Sequence, residues 1–170
     1  GVDSIREVPG ERWDVGRFYD PAPGLDGKTA CKWGGFLADP YRFDPLFFNL
    51  SPAEAEVMDP QQRLFLQACW HALEDAALPP SRLSGARCGV FVGQQGNEYL
   101  ELVNGPELAD RMGQVMIGNA ISMLPARVAY LLDLRGPTLA VDTACSSSLV
   151  AVHLAARALI DGGADVMVAG

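Results

Sequence analysis

Residues 138–154, TLAVDTACSSSLVAVHL, join an apolar strand to an apolar helix through a short polar turn, and that junction restricts what the chain can fold into. Thr138 to Val141 is apolar and partly β-branched and follows Gly136-Pro137, which predicts a buried strand. From Ser146 onward the period changes. Leu149, Val152, His153, Ala156 and Ile160 recur at helical spacing, while Val150, Leu154 and Leu159 fill the other faces. A helix apolar nearly all round is expected to be buried. Asp161-Gly162-Gly163 then forms a stop, and ADVMVAG reads as a second buried strand. Strand, helix and strand make a βαβ unit, which needs parallel strands and therefore an α/β core.

Cys145 sits at the turn. Ser146, Ser147 and Ser148 after it favour a helix start, because their hydroxyls satisfy free backbone N–H groups. The thiol therefore lies at the positive end of a helix, where roughly half an elementary charge favours thiolate over thiol. A strained strand-to-helix turn exposes the sulfur and leaves its own N–H free to bind an oxyanion. Two readings follow from position alone: a nucleophile, or a small buried packing residue. The serine elbow G-x-S-x-G is a third, but no glycine flanks any of the three serines.

The run VDTACSSSLVAVHLA closely resembles the active-site segment of β-ketoacyl synthases, specifically the ketosynthase domains of modular type I polyketide synthases. GKTACKWGGFL and FDPLFFNLSPAEAEVMDPQQRLFL resemble the same family, the first being most like synthases served by a separate acyltransferase. The resemblance marks Cys145 as the family's nucleophilic cysteine. It also implies a thiolase-like fold, an αβαβα sandwich of two similar α/β halves that dimerises, of which this chain covers most of the first half. Residues 1–170 then belong to a single ketosynthase domain: 1–50 as an irregular, packed, aromatic-rich segment and 51–170 as the α/β core. The opening strand and the second half, with two histidines and a lysine that complete the site, are expected to lie outside it.

The chemistry so implied is chain elongation. Cys145 accepts an acyl chain from the 4′-phosphopantetheine arm of acyl carrier protein, and a decarboxylated malonyl unit on another carrier then attacks the thioester. The expected partners are acyl carrier protein, the rest of the domain and a second copy, with no bound cofactor and no metal. His153 cannot serve as the general base. It follows Cys145 by eight positions on one helix, roughly 12 Å along the axis at about 1.5 Å per residue, against a reach of about 3 Å. His153 and His71 are expected to be buried packing residues. A thiolase or fatty-acid synthase, a non-elongating ketosynthase and a non-catalytic assembly fragment are the alternative readings.

Composition excludes several other classes. A hydrophobic fraction of 49% with 20% charged residues describes a globular chain, and no apolar run reaches the roughly 18 residues of a spanning helix. A net charge of −8 argues against nucleic acid or an anionic membrane as partner. Cys31, Cys69, Cys88 and Cys145 are widely spaced without C-x-x-C, which disfavours zinc and disulfide frameworks and fits a cytoplasmic setting. The chain contains neither G-x-G-x-x-G nor a Walker A sequence.

Elsewhere the signals are local. Residues 1–49 show no period but carry many aromatics, among them Trp13, Trp33, Tyr41, Phe47 and Phe48, which predicts an irregular packed layer. Ser51-Pro52-Ala53-Glu54 has the form of a capping box with proline at the first helical position. Asp59-Pro60 repeats the start, and Phe65, Cys69, Leu73 and Ala76 mark one face of a helix ended by Pro79-Pro80. Cys88 to Val92, CGVFV, reads as a central strand. Two helical segments follow between Asp110 and Leu134. Met112, Val115, Met116 and Ile117 are apolar in the first, the methionines being expected to pack rather than bind a cofactor, and Ser122 is a cap for the second.

Overall fold

Proline, glycine and short polar runs leave the first part of the chain with little regular backbone. In a computed structural model, which describes residues 1–103 and 105–170, Gly1–Pro40 form one unit and Tyr41–Gly170 another. In the first unit β1 (Ile5–Glu7) pairs antiparallel with β2 (Trp33–Gly35), and α1 (Val15–Phe18) is a single turn between them. Lys32 joins the pairing by an ion pair with Glu7 at 2.8 Å and lies over the rings of Tyr19 and Trp33. The aromatics here are packed only in part: Trp13 meets Phe18 edge-on at 5.9 Å, and Trp13, Tyr19 and Phe36 are half-buried. Trp33 is 57% exposed and Phe18 38% exposed, because strands of three residues and a one-turn helix offer too little area to cover them.

The second unit begins with aromatic residues that do pack. Phe43 stacks on Phe48, and Phe47 meets Trp70 edge-on at 4.8 Å. Helices α2 (Pro52–Val57) and α3 (Pro60–Asp75) follow. Ser51 Oγ accepts the Glu54 N–H at 3.1 Å and Asp59 Oδ1 accepts the Gln61 N–H at 2.7 Å, so both predicted starts hold. The Glu54 carboxylate does not return to Ser51 as a capping box would. It pairs with Arg127 at 2.7 Å. The buried face of α3 is Gln62, Leu66, Cys69 and Leu73, while Phe65 is half-buried and Ala76 is exposed. His71 is exposed too, contrary to the packing role expected of it, since it lies off that face.

After α4 (Pro80–Leu83) comes β3 (Cys88–Gly93), then α5 (Tyr99–Leu102), a 3₁₀ turn at Pro106–Arg111, α6 (Met112–Asn119) and α7 (Met123–Leu131). Strand β4 (Thr138–Val141), helix α8 (Ser147–Ile160) and strand β5 (Val166–Ala169) complete the unit. β3 is the centre of a three-stranded parallel sheet with the order β4-β3-β5. Val90 pairs with Thr138 on one side and Val168 on the other. The predicted βαβ unit is therefore parallel as expected, but its crossover passes over β3. β4 is an edge strand and is partly exposed rather than buried.

The alternation of side chains along β3 sets two layers. Cys88 and Val90 point into a core built with Met58, Leu66, Cys69, Leu73 and Val128. Phe91 points the other way and packs on Ala151 and Ala155 of α8. Small residues on that helix let it lie close to the sheet. The rest of α8 is not covered as predicted: Leu149 is 77% and Ile160 72% exposed, and His153 is exposed as well. An all-round apolar helix has only one neighbouring layer within these residues. Its end is as predicted, since Gly162 has a φ of 71° and Gly163 N–H donates to the Ala158 carbonyl at 2.8 Å.

In α6 only Val115 of the four apolar residues is fully buried; Met116 is 57% and Ile117 49% exposed. Ser122 occupies the cap position of α7 without a side-chain bond to it. Among the described residues no helix is long and apolar enough to cross a membrane.

Candidate active site at the strand-to-helix turn

β4 ends at Val141 and α8 begins at Ser147, so five residues must redirect the chain. Ala144, directly before Cys145, takes a φ of 55°. A non-glycine residue enters that left-handed region at roughly 1–2 kcal/mol. Local hydrogen bonds offset this. Asp142 Oδ1 accepts the Ala144 N–H at 3.0 Å. The Ser147 hydroxyl accepts the Thr143 N–H at 2.9 Å and donates to the Ala144 carbonyl at 2.7 Å. Ser146 Oγ donates to the Thr143 carbonyl at 2.9 Å.

The result is a turn whose tip carries a solvent-exposed thiol, Cys145. Within these residues Cys145 is not packed into either core. Its N–H is paired with no acceptor among the described residues, which leaves it free for an incoming oxygen.

The other cysteines differ in kind. Cys69 and Cys88 are buried in the core. Burial, with a smaller contribution from Cys88 nearby, pushes the Cys69 thiol up to about 12, and burial raises Cys88 as well. Both are protonated and inert at neutral pH. Cys31 is exposed in the first unit, its Sγ 3.3 Å from the Trp33 carbonyl. Neither histidine joins Cys145: His71 is on α3, and His153 is two helical turns along α8. Two clefts among the described residues are lined by other parts of the chain. One of about 590 Å³ is lined by Asp59, Glu98 and Tyr99 among others, and one of about 510 Å³ lies beside Trp70 and Leu78.

The sequence places Cys145 at the turn, as the structure does, but offers no distinction among the three serines. Only Ser147 is buried; Ser146 and Ser148 are exposed. The usable signal was spacing, because Ser147, Ala151 and Ala155 form one stripe of small residues four apart that faces the sheet. Gly93 follows directly on the predicted strand Cys88–Val92. It is the point at which β3 meets the first turn of α8.

The family profile described as "Beta-ketoacyl synthase, N-terminal domain" matches residues 1–170. The chain belongs to the β-ketoacyl synthase family. More closely, it is similar to polyketide synthase ketosynthases, and its α/β layers are part of their thiolase-like fold. The phthioceranic/hydroxyphthioceranic acid synthase of Mycobacterium tuberculosis is 48% identical over 171 residues, a match covering 100% of this chain and 8% of that protein. A phenolphthiocerol/phthiocerol polyketide synthase subunit of the same organism is 49% identical, covering 100% of this chain and 9% of that protein. The oxazolomycin ketosynthase domain of Streptomyces albus superposes with a TM-score of 0.84 at 50% identity, over 98% of this chain and 29% of that one. The ketosynthase of module 6 of the bacillaene synthase of Bacillus subtilis gives 0.77 at 45% identity, over 93% of this chain and 24% of that one.

Proposed function

We propose that Cys145 is the acyl-accepting nucleophile of a polyketide chain-elongating ketosynthase. The observation that carries this reading is an exposed thiol at the tip of a hydrogen-bonded strand-to-helix turn, in a chain of the β-ketoacyl synthase family. The Cys145 thiolate attacks the carbonyl carbon of an acyl thioester on the phosphopantetheine arm of acyl carrier protein. The pantetheine sulfur leaves as thiolate, and the acyl chain stays on Cys145. Loss of carbon dioxide from a malonyl unit on another carrier then leaves an enolate. Its carbon attacks the Cys145 thioester, forms the new carbon–carbon bond and expels the cysteine thiolate. The Cys145 N–H helps hold the developing oxyanion.

This chain supplies the nucleophile and its turn. The histidines of the condensation step come from outside these residues, since His71 and His153 are both out of reach. The acyl pocket is expected to involve the rest of the domain as well.

The test is peptide mass spectrometry on the full-length polypeptide after exposure to a short acyl-pantetheine thioester, with Cys145→Ala as control and malonyl carrier protein added afterwards. An acyl mass on the Cys145 peptide, absent from the variant and discharged as a longer product, is the expected result. Acylation without discharge would assign a non-elongating ketosynthase, and no acylation would remove the nucleophile assignment.

A further inference from the structure

Ser147 occupies a place unlike that of its two neighbours. Its hydroxyl bridges the turn by accepting the Thr143 N–H at 2.9 Å and donating to the Ala144 carbonyl at 2.7 Å. Its own N–H donates to the same carbonyl at 3.1 Å. One residue therefore grips both sides of Ala144, the residue with φ 55° whose carbonyl carbon is bonded to Cys145. Ser147 is in turn fixed from behind. It is buried, 5% exposed, and its backbone lies against Gly93 of β3 so closely that a Cβ there would come within 2.5 Å of the Ser147 carbonyl carbon. A grip anchored to the central strand can hold a strained turn; one on a solvent-facing serine cannot.

We infer that Ser147 is a positioning residue for acyl transfer to Cys145: its hydroxyl holds Ala144 in the left-handed conformation and thereby aims the thiol and the N–H of Cys145. The inference rests on Cys145 being the nucleophile. Without the hydroxyl, Ala144 keeps only the Asp142 carboxylate on its N–H and the Ser147 N–H on its carbonyl, and a turn so loosened relaxes toward the right-handed or extended regions favoured by L-residues, which rotates the following peptide and the Cys145 side chain. Misplacement of a reacting group by about 1 Å costs on the order of 100-fold in rate. Simple alkylation of an exposed thiol has no such alignment requirement.

This separates a positioning role from a purely structural one. In the full-length polypeptide, Ser147→Ala is expected to lower the rate of Cys145 acylation by a short acyl-pantetheine thioester about 10- to 100-fold. Alkylation of Cys145 by iodoacetamide should change less than about threefold, since it needs an exposed thiolate but no alignment with an oxyanion donor. Adding Ala144→Gly to Ser147→Ala should recover most of the lost acylation rate, because glycine takes a positive φ without a clamp. Ser147→Thr keeps the hydroxyl and serves if the alanine variant does not fold; it should retain acylation within about threefold. Ser148→Ala, at an exposed position, is the control and should leave both rates unchanged. If Ser147→Ala acylates like the parent protein, or if Ala144→Gly recovers nothing, the positioning role is wrong while Cys145 keeps its assignment. If the parent protein itself is not acylated at Cys145, the nucleophile reading fails and this one with it.

Discussion

Gly93 and Ser148 lie in contact across the sheet–helix boundary: a Cβ built on Gly93 would stand 2.4 Å from the Ser148 backbone nitrogen. Gly93 is on the face of β3 that looks toward α8, two residues beyond Phe91, and its N–H donates to the Gly170 carbonyl. The atoms it meets are backbone atoms, which cannot swing aside as a side chain would.

Gly93→Ala therefore forces α8 away from β3. Overpacking of this kind costs about 1–3 kcal/mol, and a backbone clash belongs at the upper end. Urea unfolding of the full-length ketosynthase domain should show the loss, and acyl transfer to Cys145 should fall with it, because the helix that moves begins at the turn.

Arg127 and Glu54 join α7 to α2 at 2.7 Å, with side chains only 10% and 26% exposed, and Arg127 Nε donates to Gln62 Oε1 at 3.2 Å. Removing Glu54 leaves a buried guanidinium short of a counter-charge. Glu54→Ala is expected to destabilise by about 2–4 kcal/mol. A double-mutant cycle with Arg127→Met should return a coupling energy of about 1–3 kcal/mol. Near-zero coupling would mean that solvent satisfies both groups.

Thiol labelling distinguishes the four cysteines. A small alkylating reagent at pH 8 should modify Cys31 and Cys145 in the native protein and reach Cys69 and Cys88 only after unfolding, since the last two are buried with raised pKa values. Peptide mapping reads the outcome directly.

The same shift predicts an alkaline weakness. Cys69 titrates near 9.0 when unfolded and at about 12 in the fold. Between these values the folded state holds the proton that the unfolded state has released, so stability falls as pH rises. The contribution is fully present below about pH 9 and lost on the way to about pH 12. Cys69→Ala should flatten the slope of stability against pH in that window, relative to the parent protein, even though it lowers stability at neutral pH.

Leu149, Val152 and Ile160 are exposed on the face of α8 turned away from the sheet. Produced alone, the 170 residues should self-associate through this face, visible as concentration-dependent mass in sedimentation. Leu149→Glu with Ile160→Lys, each charge matched to its end of the helix, should reduce the association and change stability by less than about 0.5 kcal/mol.

The elements most readable in the sequence were those whose cause is local. The caps at Ser51 and Asp59, the stop at Gly162 and the strand Cys88–Gly93 follow from residue chemistry over a few positions, and the structure has them. Burial was read less well because it is a property of neighbours. The apolar pattern of α8 and of β4 was correctly seen, yet much of it is uncovered here, and the aromatics before Pro40 are spread over a surface too small to hide all of them. At the turn, position between strand and helix singled out Cys145 but left two readings of it, and the resemblance of the surrounding run chose between them. The roles of Ser147, Ala144 and Gly93 were not legible, because each depends on a contact between β3 and α8, whose residues lie more than fifty positions apart.

That separation has a kinetic side. Among the described residues β4 and β5 are not hydrogen-bonded to each other; each pairs with β3, Thr138 against Val90 and Val166 against Cys88. The helix between them therefore has no sheet to lie on until a strand made much earlier is in place. Closing such long loops before any contact rewards them is slow. The shape of the thiol turn is thus expected to be acquired late in folding, after β3 has been flanked on both sides.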